Sequence, residues 1–189
     1  MKWKKVVKIK YASIRNFDIS NGEGVGISLF VQGCPFHCYN CFNPNTWDFN
    51  GGEEWTKEVE DKFIESATRS YIERISILGG EPLANENLDG VLNLVNKIRL
   101  LMPEKTIWLY SGYTWEQIMY PIVTDDLNIE RNKSLQKRKE LVSLCDILVD
   151  GRYIDSKHDI TLKWKGSSNQ RVINIQKSLL LGEVVLWDQ

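Results

Sequence analysis

The chain has 189 residues, 42% of them hydrophobic and 26% charged, which suits a single domain over residues 1–189 with a sizeable core. Twenty-four Lys and Arg against 25 Asp and Glu leave a formal charge of −1, so no global field draws nucleic acid or an anionic membrane. No apolar run approaches the roughly 18 residues of a membrane span, and the basic start MKWKKVVKIKYA lacks the apolar stretch of a signal peptide, so a cytoplasmic protein is expected.

From Val6 onward the N-terminal segment alternates like a strand. Ile27 to Val31 is an apolar, β-rich run that ends at Gly33 and a group of cysteines. Thr56 is placed to cap a helix reaching about Ser70, with Val59, Phe63, Ile64, Ala67 and Tyr71 on one side. Ile75 to Leu78 reads as a buried strand stopping at Gly79-Gly80. Leu88, Val91, Leu92, Val95, Ile98 and Met102 keep helical spacing until Pro103 closes the helix. Thr106 to Tyr110 is the next strand, followed by the Ser111-Gly112 turn and a short helix near Trp115 to Met119.

Residues 124–140 are the most charged, a solvated connection or a docking segment, and their second half is expected to form a helix leading into Cys145. Ile147 to Val149 is a strand ending at Asp150-Gly151, and Arg171 to Ile175 is another. Short apolar strands alternating with helices define an α/β fold. A closed barrel needs about 250 residues. The length therefore predicts a partial (β/α) barrel of about five or six units, each of about 30 residues, with a largely parallel sheet. Ligands bind beyond the C-terminal ends of such strands. Cysteines, Gly-Gly-Glu-Pro, Ser-Gly and Asp-Gly follow four successive strands and face that side.

Cys34, Cys38 and Cys41 form C-x3-C-x2-C, and thiolates are soft ligands for iron–sulfur clusters or zinc. Three thiolates on a four-iron cubane leave one iron for a substrate. A structural zinc would need His37, His158 or Cys145 as its fourth ligand, and the motif lacks the second knuckle usual for zinc. The Cys38–Cys41 pair alone also has the spacing of a redox CxxC. Cys145 stands before an apolar strand and reads as a core thiol.

The cysteine motif at the end of the first strand, with GGEP after the second, resembles the radical S-adenosylmethionine (SAM) superfamily. VQGCPFHCYNCFNPNTWDFNGG (31–52), LGGEPL (78–83), WLYSGYTWE (108–116), CDILVDGRY (145–153) and KGSSNQRVIN (165–174) narrow the likeness. Together they resemble the activating proteins of anaerobic ribonucleoside-triphosphate reductase. The superfamily commonly has an aromatic before the third cysteine. Here Asn40 takes that place and Phe42 follows the cysteine.

The resemblance implies that Cys34, Cys38 and Cys41 hold a 4Fe-4S cluster whose fourth iron is chelated by SAM. It implies one-electron cleavage of SAM to methionine and a 5′-deoxyadenosyl radical, which takes a Cα hydrogen from a glycine of the reductase large subunit. The electron would come from an external donor such as flavodoxin or ferredoxin. SAM contacts are expected from the backbone around Asn40, Cys41 and Phe42, from Gly79 and Gly80, and from Ser111, Asp150 and Arg171. Glu81 is expected to cap a backbone amine, and Trp47, Tyr113 and Trp115 either pack in the core or line a groove for the partner. Two other readings stay open: a small radical SAM enzyme acting on a small molecule, such as a deazapurine synthase, and a non-catalytic metal-binding electron-transfer or interaction protein.

Overall fold

A computed structural model of the chain describes residues 9–122 and 129–187. Its strands are β1 (Lys10–Asp18), β2 (Gly26–Val31), β3 (Glu53–Glu54), β4 (Arg74–Gly79), β5 (Thr106–Tyr110), β6 (Ile147–Asp150) and β7 (Arg171–Asn174). Its helices are α1 (Lys57–Ala67), α2 (Asn85–Leu101), α3 (Trp115–Met119), α4 (Ile129–Ser143) and α5 (Ile175–Leu181). One open sheet runs in the order β3-β1-β2-β4-β5-β6-β7.

The centre of that sheet, β2-β4-β5-β6, is parallel, as helical crossovers require. The remaining chain goes into antiparallel flanks: β1 pairs with β2 and β3 on one side, and β7 pairs with β6 on the other. The parallel run thus holds four strands, and β7 returns antiparallel because only a single 3-10 turn (Asp155–Lys157), and no α-helical crossover, separates it from β6. The C-terminal segment extends this edge, with Trp187 N–H donating to the Val172 carbonyl at 2.8 Å.

All six residues of β2 are buried, the pattern of a strand covered on both faces. On one face Ile27, Leu29, Val31, Ile75, Ile77, Ile107, Leu109 and Leu148 pack against Phe63 of α1, Leu88, Val91 and Val95 of α2 and Leu141 of α4. Cys145 lies in this core, wholly buried, its thiol donating to the Leu141 carbonyl at 3.3 Å. Thr56 caps α1 by accepting from Val59 N–H, and Thr114 caps α3 in a reciprocal capping box with Gln117. Helix α4 begins where the charged segment was expected to turn helical; residues 123–128 lie outside the described residues.

The opposite face is mixed. Trp108, Ile147, Val149 and Val172 form a small apolar cluster there, covered by Trp164 and Trp187. Beside it sits Arg74, 1% exposed, which donates to the Asp18 carbonyl at 2.7 Å and to Ser76 Oγ at 2.6 Å. Its guanidinium is 3.4 Å from the Asp18 carboxylate. Burial pushes the Asp18 carboxyl up, but hydrogen bonds from Asn21 and Ser20 outweigh that and hold it below its ordinary value. Removing one partner of a buried pair strands the other charge. Arg74→Met is therefore expected to destabilise the fold by roughly 3–5 kcal/mol, read as a lower urea midpoint at unchanged slope.

Candidate active site

The C-terminal ends of the parallel strands open onto a cavity of about 420 Å³. Its wall includes Cys34, Cys38, Cys41 and Phe42 from the loop after β2, Gly79 at the end of β4 and Gly80 after it, Ser111 and Gly112 after β5, and Gly151 to Tyr153 after β6. Motifs scattered over 120 residues of sequence are brought together because parallel strands all end on one side.

The cysteine loop is short and tightly turned. Gly33, His37 and Asn40 all have positive φ, at 94°, 46° and 52°. Asn tolerates the left-handed region better than a bulky side chain, which explains why Asn40 fits here. Its side chain is exposed and does not line the cavity. The three thiols are half-buried, and backbone amides face them: Phe36 and His37 toward Cys34, Tyr153 toward Cys38, and Asn43 toward Cys41 at 3.4 Å. Burial pushes the Cys34 thiol up to about 11 and raises Cys38 as well. Without a metal Cys34 and Cys38 stay protonated at neutral pH, so loading releases protons.

This donor set fits an iron–sulfur cluster: three soft ligands on one loop, with the Asn43 amide already donating to Cys41 sulfur. Among the described residues no three Cys, His, Asp or Glu side chains converge on a single-ion site. The candidate fourth zinc ligands lie elsewhere. Cys145 is in the core behind the sheet, His37 stacks on Trp47 with ring centroids 4.7 Å apart, and His158 meets the edge of Phe42.

Gly79 and Gly80 close the opposite wall. Gly79 has φ 100°, and a Cβ there would press on the Phe30 backbone. At Gly80 a Cβ would strike the Gly33 carbonyl, so its absence of side chain serves the seat of the cysteine loop. Gly80 N–H donates to the Val31 carbonyl and Glu81 N–H to the Gly33 carbonyl, both at 2.8 Å.

Glu81 does more than cap one amine. Fully buried, it accepts from Leu83 N–H at 2.9 Å, Ser111 Oγ at 2.8 Å and Gly112 N–H at 2.7 Å. Burial pushes its carboxyl up to about 7 despite these donors. The Ser111 hydroxyl also accepts from Tyr113 N–H at 3.0 Å, so it is engaged in building the wall. Asn87 completes the seat: its amide donates to the carbonyls of Gln32 and Glu81, each at 2.9 Å. Nothing in the helical periodicity of α2 singled Asn87 out.

Asp150 and Arg171, expected as SAM contacts, do not line this cavity. Their side chains are engaged with each other and with α3. Asp150, 1% exposed, accepts from Trp115 N–H at 2.7 Å and pairs with Arg171 at 2.5 Å. Arg171 also forks onto Glu116, at 3.0 and 2.9 Å. The pair ties the ends of β6 and β7 to the start of α3. Trp115 is in the core, Tyr113 packs on Phe36 at 4.8 Å, and Trp47 lies beneath His37.

A family profile described as a 4Fe-4S single cluster domain matches residues 20–173. With the three-cysteine cavity, this defines the class as a single-cluster, radical SAM type of enzyme. The narrower likeness is to proteins called anaerobic ribonucleoside-triphosphate reductase-activating protein. The one from Vibrio cholerae is 35% identical over 86% of this chain and 96% of its own length. That of Salmonella typhi is 36% identical over 89% and 100%, and that of Escherichia coli 37% over 84% and 94%. The chain belongs to the anaerobic ribonucleoside-triphosphate reductase-activating protein family.

Two outcomes test the site's construction. Gly80→Ala is expected to lower iron incorporation severalfold, measured as iron per chain after anaerobic reconstitution, because the clash falls on the cysteine loop. The second concerns acid. Hydrogen bonding from Arg171 pulls the Glu116 carboxyl from its ordinary 4.5 down to about 2. A depressed carboxylate adds stability that is present above its unfolded value and lost as pH falls toward its folded one. Melting temperature should therefore drop between about pH 4.5 and 2, and Glu116→Gln should flatten part of that drop. The pair is half-exposed, so the effect is on the order of 1 kcal/mol or less.

Proposed function

We propose that this chain is the activase that installs a glycyl radical on the large subunit of anaerobic ribonucleoside-triphosphate reductase, using SAM and a 4Fe-4S cluster held by Cys34, Cys38 and Cys41. The observation that carries the reading is one cavity in which three cysteine thiols face the Gly79-Gly80 strand end across about 420 Å³. When bound, the reduced cluster and SAM supply methionine and a 5′-deoxyadenosyl radical able to take one glycine Cα hydrogen.

The chain's own residues hold and shape. Cys34, Cys38 and Cys41 would hold the cluster, and with three protein ligands it would keep one iron available to SAM. Gly79 and Gly80 let backbone approach the methionyl part, and the backbone from Asn40 to Phe42 with the Phe42 ring takes the adenine. Phe42 is suited to this by its place: it lines the cavity and is braced edge-on by Tyr153 at 5.1 Å. Ser111 and Glu81 keep the wall rigid, and Asp150 with Arg171 anchors the strand ends behind it.

The open sheet leaves a lateral way in for an extended peptide, which suits a glycine on another protein. No helix among the described residues is long and apolar enough to cross a membrane. Four free cysteines suit a reducing compartment, so the proposed setting is the cytoplasm, with a one-electron carrier such as flavodoxin or ferredoxin as donor.

The test is anaerobic EPR of the reconstituted, reduced protein with SAM and the reductase. A SAM-dependent glycyl radical on the reductase is expected. SAM cleavage without a protein radical would point to a small-molecule substrate, and a folded protein with no cluster signal would remove the reading. Alanine at Cys34, Cys38 or Cys41 should abolish SAM cleavage, whereas Cys145→Ala should keep the cluster and lose only about 1–2 kcal/mol of stability.

A further inference from the structure

The segment after β6 reaches over the cysteine loop in a way that the cage alone does not require. Gly151 turns the chain with φ 94°, its N–H donating to the Tyr113 carbonyl at 3.2 Å. Gln170 Nε2 donates to the Gly151 carbonyl at 2.9 Å, and Asn169 Nδ2 donates to the Arg152 carbonyl at 2.8 Å. With its backbone held at both ends, Arg152 lays its guanidinium over the Phe36 ring, 4.3 Å from the centroid. Phe36 lies between Cys34 and Cys38 in sequence, and its other side is fixed by Tyr113. The guanidinium therefore borders the same cavity as the three thiols.

Arg152 also differs from other arginines of the chain in what it lacks. Arg74, Arg99 and Arg171 are each paired with an aspartate, and Arg138 donates to Leu83 and Asn85. Among the described residues, Arg152 forms no ion pair and donates no side-chain hydrogen bond. Its charge is left facing the site. The next residue, Tyr153, turns its backbone amide toward the Cys38 thiol, so the cation and this amide lie on one side of the cage.

We propose that Arg152 sets the reduction potential of the cluster from outside the cysteine loop. This rests on the cluster reading above. A cubane on three thiolates is anionic, and the electron delivered by an external one-electron donor makes it more so. A fixed cation beside it stabilises the reduced form more than the oxidised one, and so raises the potential. Stacking on Phe36 holds the cation in place. Its outer side remains in water, which limits the effect by screening. Arg152 touches no reacting atom in this role; it acts through the cluster.

The experiment is an EPR-monitored redox titration of the reconstituted full chain, with dithionite as electron donor and no SAM present. In Arg152→Gln and Arg152→Met, the reduced-to-oxidised ratio at the wild-type midpoint should fall about tenfold, equal to about 59 mV for a one-electron couple. Met keeps the cover over Phe36 while removing the charge, and Arg152→Lys should restore most of the ratio. Iron and sulfide content equal to wild type shows that each variant carries the cage. Unchanged midpoints in both neutral variants would overturn the proposal, as would a Lys variant that falls as far as they do. Unchanged midpoints with weakened SAM binding would assign Arg152 to the SAM carboxylate instead. Neutral variants that take up no iron would make it an assembly residue, which also overturns it. A wild-type chain with no reducible cluster would remove the cluster reading itself, a result distinct from any of these.

Discussion

Two backbone hydrogen bonds make the cysteine loop and the glycine turn a single unit. Gly80 and Glu81 donate to the carbonyls of Val31 and Gly33, so the last residues of β2 and the turn after β4 cannot move independently. The approach is close enough that only hydrogen fits at Gly80, and Asn87 from α2 bonds both segments at once. The position of the first thiol is thereby referred to the parallel sheet rather than to a mobile loop. Glu81 carries the same reference onward to β5 through Ser111 and Gly112. The cavity wall is a relay of short polar contacts from strand end to strand end.

Most of the scaffold was legible because its signals are local. Thr56 and Pro103 mark helix ends, and the apolar runs at Ile75 and Thr106 become strands because they are buried on both faces. The antiparallel return of β7 was not legible, since pairing direction depends on the path of residues 151–170, which carry no periodic pattern. Within the site, the three cysteines and two glycines stood out because residue type and spacing carry the chemistry. Asp150 and Arg171 show how little a strand-end charge tells in sequence. A charged residue at a strand end looks the same in sequence whether it faces a ligand or another charge, and only the fold shows that each is the other's partner. Asn87, Gln170 and Arg152 were missed because their roles are set by backbone carbonyls and a ring that lie far away in the chain.

The two faces of the sheet divide the work of stability and chemistry. The helix-covered face is mainly apolar and supplies the driving force for folding. The other face carries the buried Arg74–Asp18 pair at its base and the cavity at its top. Ser28 Oγ, Arg74 Nε and Tyr110 Oη lie buried there without protein partners, a polar interior that ordered water commonly completes. Such a face is less stabilising than a second apolar layer, and it keeps the space above it available.

All three thiols come from one stretch, Cys34 to Cys41, while the sheet that seats them is closed by contacts made elsewhere. The ligands have low sequence separation, so gathering them needs little chain entropy. A cluster held this way would be lost and reloaded at one loop, while the core contacts that close the domain stay in place.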